Sequence, residues 1–300
     1  MSRKGWVLFL SLSVIWGVPY LLIKIAVGAL HPSVVVFLRT VIGAALLLPF
    51  AGMRGELRAV FRHWRALLLF AFVEITAPWL LLTEAERKVT SSFAGLLVAV
   101  VPLIGAVLAV LIGSSDRLSR GRLVGLLIGF AGVAALLGID LQGAHGQALA
   151  SVFILLTAVG YAAGPMVVDR SLSDAPALGV IAVSLGLNAI VYLPFALHDA
   201  PTSMPSASVV WSVIGLGALC TAMAFLVFFA LIAEVGPQRA TVITYLNPAI
   251  AVLLGVSLRG EAFTTGMAIG FPLVLLGCWL GTGRRREVAE APVPLEARSA

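Results

Sequence analysis

The chain has 300 residues, of which 60% are hydrophobic and 11% charged, and its formal net charge is +6. A soluble globular domain carries about 25% charged and about 45–50% apolar residues, so this composition excludes an ordinary soluble protein. The basic residues lie between apolar runs and not on one face of a folded domain, which argues against a nucleic-acid partner.

Ten apolar segments are long enough to cross a lipid bilayer, which takes about 20 mostly apolar residues in a helix. In chain order they are residues 5–26, 33–52, 66–83, 91–112, 122–139, 148–168, 176–196, 209–233, 240–257 and 264–282. Because these runs are continuously apolar, helices are favoured over the alternating strands of a barrel. The predicted fold class is an all-α integral membrane protein with ten transmembrane helices.

The first span follows Arg3 and Lys4, so it also has the form of a signal peptide. Its recurrence in the second half of the chain favours a membrane helix instead. The basic segment 53–65, MRGELRAVFRHWR, follows the second span and fits either a short interfacial helix or a solvated loop. Residues 283–300 are polar and contain proline, which predicts a disordered tail.

Lysine and arginine are divided unevenly between the two sides of the predicted spans. With the N-terminus inside, 14 of them lie in cytoplasmic connections and 3 lie in outer loops, namely Arg87, Lys88 and Arg259. Positive residues stay on the cytoplasmic side of a membrane. The sequence therefore predicts a multi-pass protein of a bacterial-type inner (plasma) membrane with both termini in the cytoplasm.

The two halves of the chain, 1–140 and 146–282, can be superposed in sequence at a shift of 145–146 residues. The tripeptide LPF occurs at 48–50 and again at 193–195. The other matches fall in chain order: Pro19 with Pro165, Pro102 with Pro248, and Asp116, Leu118, Gly121, Gly125 and Gly132 with Glu261, Phe263, Gly266, Gly270 and Gly277. Each half holds five spans, and an odd number inverts the second half, so we expect two inverted repeats. Such repeats are typical of secondary transporters.

Several short motifs resemble one transporter family. They are Trp16–Gly17, the following Lys24, Arg39 in the second span, Pro102 in the fourth span, and Gly260–Glu261 before the last helix. Together with the ten-span repeat, this pattern resembles the EamA-type branch of the drug/metabolite transporter superfamily, up to about residue 282. The sequence departs from it at 114–116, where SSD replaces the GE motif, and at Tyr161–Ala162, which replaces WG.

The resemblance implies a transporter or facilitator of small metabolites that works by alternating access. It favours amino acids as substrates and export as the direction. An exporter of drug-like apolar compounds is the closest alternative, and a sugar-conjugate carrier is a more distant one. An intramembrane enzyme is disfavoured because HExxH and GxSxG motifs are absent and the four histidines lie in or near loops. We expect no catalytic residues, metal site or cofactor.

Glu74 is the candidate for a proton-coupling or substrate-ammonium site. It lies in the middle of the third span, where a charge costs about 2.5–3.5 kcal/mol on insertion scales. It should therefore face a cavity or a partner. The structural alternative is an ion pair with Arg39, which we place at similar depth. Pro78, four residues later, removes a backbone hydrogen bond and loosens the helix near Glu74.

Further candidates for the substrate pathway are aromatic or amide side chains within the spans: Trp16, Tyr20, Trp79, Tyr161, Tyr245 and Asn247. Trp79 lies near the outer end of its span, which favours a place in the outer aromatic belt. Helix breaks are expected at the prolines inside spans: Pro19, Pro78, Pro102, Pro165 and Pro248.

Two further sets of residues favour structural roles. Lys24 and Arg170 close the first helix of each half, and snorkelling to the interface explains them more simply than gating. The glycines at fourfold spacing, Gly121, Gly125, Gly129, Gly266 and Gly270, allow helices to approach closely. They should pack the fifth and tenth spans together, either within the chain or between two copies in a homodimer.

Overall fold

The computed structural model of the protein describes residues 1–112, 120–140, 145–240 and 242–282. Within these ranges the chain forms helices joined by turns, with no strand. A helix lies at each predicted span, and we number these ten helices in chain order. They are α1 (Arg3–Ala26), α2 (Pro32–Met53), α3 (Trp64–Ala85), α4 (Ser91–Leu111), α5 (Arg120–Asp140), α6 (His145–Ser171), α7 (Ala177–His198), α8 (Ala207–Val235), α9 (Ile243–Arg259) and α10 (Thr265–Thr282).

The first eight helices are long and apolar enough to cross a membrane, by length and composition. The helices α9 and α10 are also apolar but shorter. In lipid a backbone must satisfy its own hydrogen bonds, which is why these apolar runs form helices. The protein is a multi-pass membrane protein. The predicted disordered tail, 283–300, lies outside the described residues, as does the SSD motif at 114–116.

Short polar residues cap the beginning of two helices. The Ser2 hydroxyl accepts a hydrogen bond from Gly5 N at 2.9 Å and so caps α1. The Thr90 hydroxyl accepts one from Phe93 N at 3.2 Å and caps α4. Within the basic segment, Leu57–Phe61 forms a short helix that buries Val60 and leaves Arg58 exposed. Helical structure is present in this segment, as the interfacial-helix interpretation requires.

Two helices change to the wider π geometry in their middle. In α3 the π segment is Ala71–Thr76, directly before Pro78, and in α8 it is Gly215–Met223. In each segment a threonine hydroxyl lies within hydrogen-bond distance of the carbonyl five residues earlier: Thr76 of Ala71 O at 3.1 Å and Thr221 of Leu216 O at 2.8 Å. Such π segments are rare and frequently occur at functional sites.

The glycine face of α5 packs against α10. A Cβ atom added to Gly125 would lie 2.3 Å from the backbone nitrogen of Gly281, and one added to Gly277 would lie 2.3 Å from Gly129 Cα. The absence of these side chains therefore permits direct backbone contact between the two helices. This part of the predicted glycine face is used within the chain.

Side-chain contacts join the loops at the two ends of the bundle. We call the end formed by the α1–α2, α3–α4, α7–α8 and α9–α10 connections the Glu261 end. There the Ser33 hydroxyl donates to Asp199 at 2.7 Å. We call the opposite end, where the N-terminus and the α2–α3, α6–α7 and α8–α9 connections lie, the Glu56 end. There Gly179 N donates to the Glu56 carboxylate at 3.1 Å.

Candidate functional site

A buried arginine lies where α2, α3 and α8 meet. Arg39 is the single charged residue of α2, and its side chain is only 7% exposed. Its guanidinium carbon lies 3.6 Å from the ring centroid of Trp79, and its Nε donates to the Thr221 hydroxyl at 2.9 Å. The π segment of α8 carries Thr221, whose own hydroxyl hydrogen is directed to Leu216 O. Trp79 therefore covers one face of the Arg39 guanidinium, and Thr221 binds one edge of it.

Trp79 is not in the outer aromatic belt, so that expectation was wrong. Its side chain is 5% exposed and lies beneath the Arg39 guanidinium. Tyr161 of α6 packs against the apolar cluster that contains Trp79, and both it and the buried Tyr20 of α1 interact electrostatically with Arg39, as does Glu86. The structure therefore brings four of the predicted site residues, Arg39, Trp79, Tyr161 and Tyr20, into one neighbourhood.

Glu74 lies in the π segment of α3 and contacts α6. Its Oε2 is buried without a hydrogen-bond partner among the described residues, and it lies directly against Gly164. Any side chain at Gly164 would overlap this carboxylate. The ion pairs of the described residues do not include one between Glu74 and Arg39. The predicted ion pair between Glu74 and Arg39 is therefore not formed in this conformation.

A second polar contact joins α3 to α7, and sequence reasoning missed it. The Thr76 hydroxyl lies 2.6 Å from Asn188 Oδ1, and the Asn188 amide nitrogen donates to Ser184 O at 2.8 Å. The Tyr192 hydroxyl donates to Thr76 O at 2.7 Å. The available signal was the repeat itself, since Thr76 and Thr221 are 145 residues apart.

Trp16 begins a series of aromatic contacts that leads to a cavity. Its ring packs against Phe225 and Phe228 of α8, with centroid separations of 5.9 and 5.0 Å. Phe225 in turn stacks on Phe229 at 6.2 Å. Phe229 lines a cavity of about 410 Å³ at the Glu56 end, together with Phe50, Arg54, Leu178, Leu226 and Ala230. Their three- and four-residue spacing in α8 is the sequence pattern that places these phenylalanines on one face of the helix.

The remaining predicted pathway residues contribute to packing. The Asn247 amide lies 3.0 Å from Ile243 O and 3.1 Å from Ser13 O, and with its nitrogen on that side it donates to both and joins α9 to α1. Tyr245 packs against the main apolar core. Among the prolines, Pro78 is the second residue of the α-helical part of α3 that follows its π segment, and Pro102 follows a turn at 99–100 in α4. Pro19, Pro165 and Pro248 lie inside α1, α6 and α9.

Glu261 holds the Glu261 end together. Its Oε1 accepts hydrogen bonds from Ser91 N at 2.9 Å and Ser91 Oγ at 2.8 Å, and its Oε2 accepts from Ser92 N at 2.9 Å and Ser92 Oγ at 2.6 Å. These groups begin α4, where backbone N–H groups attract a carboxylate. Partial burial raises the pKa of Glu261, but the hydrogen bonds from Ser92 and Ser91 outweigh it and lower the pKa overall.

Lys24 extends to the Glu261 end of the bundle, where its ammonium is bound to carbonyl groups of the α3–α4 connection. It donates to Glu86 O at 2.6 Å and to Val89 O at 2.7 Å. The Glu86 side chain is fully buried, and neither carboxylate oxygen has a partner among the described residues. Burial raises the pKa of Glu86 well above its usual range, although the nearby Lys24 lowers it. Arg170 is exposed at the end of α6, and its Nη2 donates to Ile112 O at 3.4 Å.

No group of three or more His, Cys, Asp or Glu side chains within the described ranges is placed to hold a metal ion. Arg39 supplies a positive charge and Glu74 a carboxyl group, and both are surrounded by aromatic and apolar side chains.

Known transporters are similar to this chain along nearly its whole length. The sequence pattern of the EamA-like transporter family matches twice, over residues 3–138 and 148–282. The uncharacterized inner membrane transporter YedA of Escherichia coli strain K12 is 29% identical over 257 residues, which span 85% of this chain and 82% of that protein. The uncharacterized transporter YvbV of Bacillus subtilis strain 168 is 24% identical, over 93% of this chain and 92% of that protein.

Two further proteins are similar over nearly their full length. A probable terminal-alkyne amino-acid exporter of Streptantibioticus cattleyicolor is 24% identical over 300 residues, which cover 96% of this chain and 98% of that protein. A solved structure, titled only as the crystal structure of a protein, superposes with a TM-score of 0.67 and 21% identity. It covers 94% of this chain and 98% of its own. This last likeness concerns the fold.

Proposed function

Because this chain belongs to the EamA-like transporter family, we propose that it is a secondary transporter that exports small metabolites, with amino acids as the favoured substrates. The observation that carries the proposal is the buried arginine stacked on the ring of Trp79, which forms no ion pair with a carboxylate of the described residues. Charged residues within membrane spans mark substrate or ion pathways. A scaffold or receptor has no need for such a group.

All ten helices cross the membrane in this proposal, and the two five-helix halves are inverted repeats. Two corresponding contacts support the repeat: Thr221 of α8 with Arg39 of α2, and Thr76 of α3 with Asn188 of α7. The two π segments also lie at corresponding positions, one in the third helix of each half.

Helix packing supports the same relation. The contact of α1 with α9 has its counterpart in the contact of α6 with α4, and that of α2 with α8 in that of α7 with α3. The contact of α1 with α8 corresponds to that of α6 with α3. Two similar halves arranged in this way can rock about a site between them.

The Glu56 end faces the cytoplasm in this proposal. It carries the basic segment with Arg54, Arg58, Arg62 and Arg65, whereas fewer basic residues lie at the opposite end. The cavity beside Phe50 and Phe229 then opens on the cytoplasmic side, while Glu261 closes the outer side. This is the conformation in which an exporter takes up its substrate.

Amino acids are favoured for two reasons. Arg39 offers a positive charge inside the bundle, and one similar protein carries the name of a probable amino-acid exporter. The second candidate is the export of drug-like apolar compounds. It is favoured by the lining of the cavity, where Phe50, Leu178, Leu226 and Phe229 surround a single charged side chain, Arg54.

Counterflow in proteoliposomes tests the proposal. The protein is reconstituted into liposomes loaded with an unlabelled amino acid, and entry of the same labelled compound is followed at several pH values. We expect uptake above protein-free liposomes, and we expect Glu74→Gln to remove its pH dependence. Asp199→Asn, at the Glu261 end, is the control and should keep the pH profile. Failure to move any amino acid or apolar compound would contradict the proposed function.

A further inference from the structure

The surroundings of Arg39 specify a chemical group on the substrate. We propose that Arg39 binds the carboxylate of the transported molecule through its two terminal guanidinium nitrogens, with Trp79 and Thr221 holding the guanidinium in place. This inference deepens the proposed function and rests on it. It assigns Arg39 a role in substrate binding in place of the predicted ion pair with Glu74.

The charge of Arg39 is buried, and the carboxyl group of Glu86 interacts with it only from beyond ion-pair distance. Its side chain is 7% exposed, and no carboxylate of the described residues lies within ion-pair distance of it. Burying a charge is costly unless it is paired and hydrogen-bonded. Trp79 compensates in part through its ring face, but a ring supplies no hydrogen-bond acceptor in the plane of the guanidinium. An anionic ligand would complete the site.

The geometry leaves one edge of the guanidinium for that ligand. Nε is committed to Thr221 Oγ1 at 2.9 Å, and the ring of Trp79 covers one face at 3.6 Å. Among the described residues, the fully enclosed polar atoms without partners belong to Glu74, Glu86 and Ser184 and not to Arg39. The two Nη atoms donate to no described residue and so remain for a ligand. Their parallel N–H groups match the two oxygens of a carboxylate.

A single carboxylate fits the site better than a phosphate. A phosphate carries more charge, and its sites draw on several basic side chains or backbone N–H groups. Lys24 is bound to two carbonyl oxygens, and the Arg54 guanidinium lies over the Phe50 ring at the Glu56 end. Neither is arranged with Arg39 around one ligand, so one arginine faces one carboxylate.

Thr221 acts as a positioning residue. Its hydroxyl donates to Leu216 O at 2.8 Å, so its oxygen lone pair is directed at Arg39 Nε. The π segment of α8 creates this arrangement, because a hydroxyl that donates five residues back requires the wider turn. Thr221→Val removes the acceptor with almost no change in volume. It should raise the KM of acids and leave kcat nearly unchanged.

The test compares substrates that differ in one functional group. Counterflow is measured for leucine and phenylalanine, for their amides, and for the amines that lack the carboxyl group. We expect the wild-type protein to move the acids at least tenfold faster than the amides and amines. Arg39→Gln should lower flux of the acids at least tenfold, and Arg39→Lys should give an intermediate loss because an ammonium lacks the planar fork.

The control is Arg62→Gln, the same substitution at an exposed position of the basic segment, which should leave flux of the acids unchanged. Size-exclusion chromatography shows whether each variant is folded. If Arg39→Gln does not fold, Thr221→Val decides: a KM increase restricted to acids supports the proposal, and an unchanged KM overturns it.

The experiment distinguishes failure of the carboxylate site from failure of the transporter function. If the wild-type protein moves amides and amines as well as acids, Arg39 does not bind a carboxylate, and the transporter function stands. The same holds if Arg39→Gln folds and moves acids at the wild-type rate, which would leave Arg39 a structural partner of Trp79. If none of the compounds crosses, the proposed function fails, and the carboxylate site fails with it.

Discussion

The two ends of the bundle are held together in different ways. At the Glu261 end, one carboxylate of the second half accepts four hydrogen bonds from the first turn of α4, at 2.6 to 2.9 Å. At the Glu56 end, the Glu56 carboxylate of the first half accepts one hydrogen bond from α7, at 3.1 Å. More exposed contacts join Ser2 and Lys4 to Glu234, and His63 to Asp174 at 3.5 Å. A cavity of about 410 Å³ lies beside the weaker Glu56 contact.

The difference shows which end resists opening in this conformation. A hydrogen bond to a charged group contributes about 1.5–3 kcal/mol when it is buried, and exposure to solvent reduces this. Four such bonds on one carboxylate outweigh a single one even after that reduction. A carrier that alternates between two conformations must lose these contacts when the Glu261 end opens.

The largest effect should follow from replacing Glu261. In Glu261→Gln one of the two oxygens becomes an NH₂ group, which cannot accept the two hydrogen bonds from the serine that it faces, Ser91 or Ser92. We expect the Glu261 end to open more often, with amide hydrogen exchange at Ser91 and Ser92 at least tenfold faster. Hydrogen exchange followed by mass spectrometry on peptides from the start of α4 measures it.

The matched control is Glu84→Gln at the same end of the bundle. Glu84 forms an exposed i,i+3 ion pair with Arg87 at 3.0 Å, and pairs of this kind contribute about 0–1 kcal/mol. Exchange at the start of α4 should be unchanged. Equal acceleration in both variants would show that the Glu261 contact does not close this end.

Much of the fold follows directly from the sequence, because a lipid solvent demands long apolar runs. All ten predicted spans coincide with helices, within a few residues at their ends. Charge patterns also identified Arg39 and Glu74 as unusual. Glycine spacing identified the α5–α10 contact, since backbone approach depends on the missing side chain and not on its neighbours.

Side-chain partners were harder to predict, and Trp79 shows the reason. A helix that is apolar all round gives no periodic signal for the face that points inward. Position along the span placed Trp79 at the belt, whereas the rotation of α3, altered by its π segment, places it beneath Arg39. The GE motif identified Glu261 but not Ser91 and Ser92, which lie about 170 residues earlier in the chain.

An intermediate effect, on the pH dependence of stability, is expected at Glu86, a second carboxyl group at the Glu261 end. Burial raises its pKa, the neighbouring Lys24 and Arg39 lower it, and Glu261 raises it, with a net increase. A raised pKa means that the folded protein binds the proton more tightly than the unfolded chain. Its contribution to stability is therefore complete below the unfolded value of about 4.3 and is lost as the pH rises through the folded pKa.

Glu86→Gln should remove this contribution to the pH dependence of stability. One proton changes the free energy of unfolding by at most about 1.4 kcal/mol per pH unit. Melting temperatures of both proteins in detergent between pH 5 and pH 8 measure the difference. We expect the wild type to lose stability with rising pH more steeply than the variant, and parallel curves would contradict the assignment.

The smallest effect is expected at Glu56, because its carboxylate accepts one hydrogen bond and Gln keeps an oxygen that can accept it. Gly179 packs closely here, since an added Cβ atom would lie 2.7 Å from Val60 and 3.2 Å from Glu56 O. Backbone packing therefore holds α7 against this loop without the charge. We expect Glu56→Gln to change the free energy of unfolding by less than about 1 kcal/mol and to leave hydrogen exchange at the start of α7 within threefold of wild type. An effect as large as that of Glu261→Gln would mean that the two ends are held with similar strength, and the bias toward opening at the Glu56 end would then need another source.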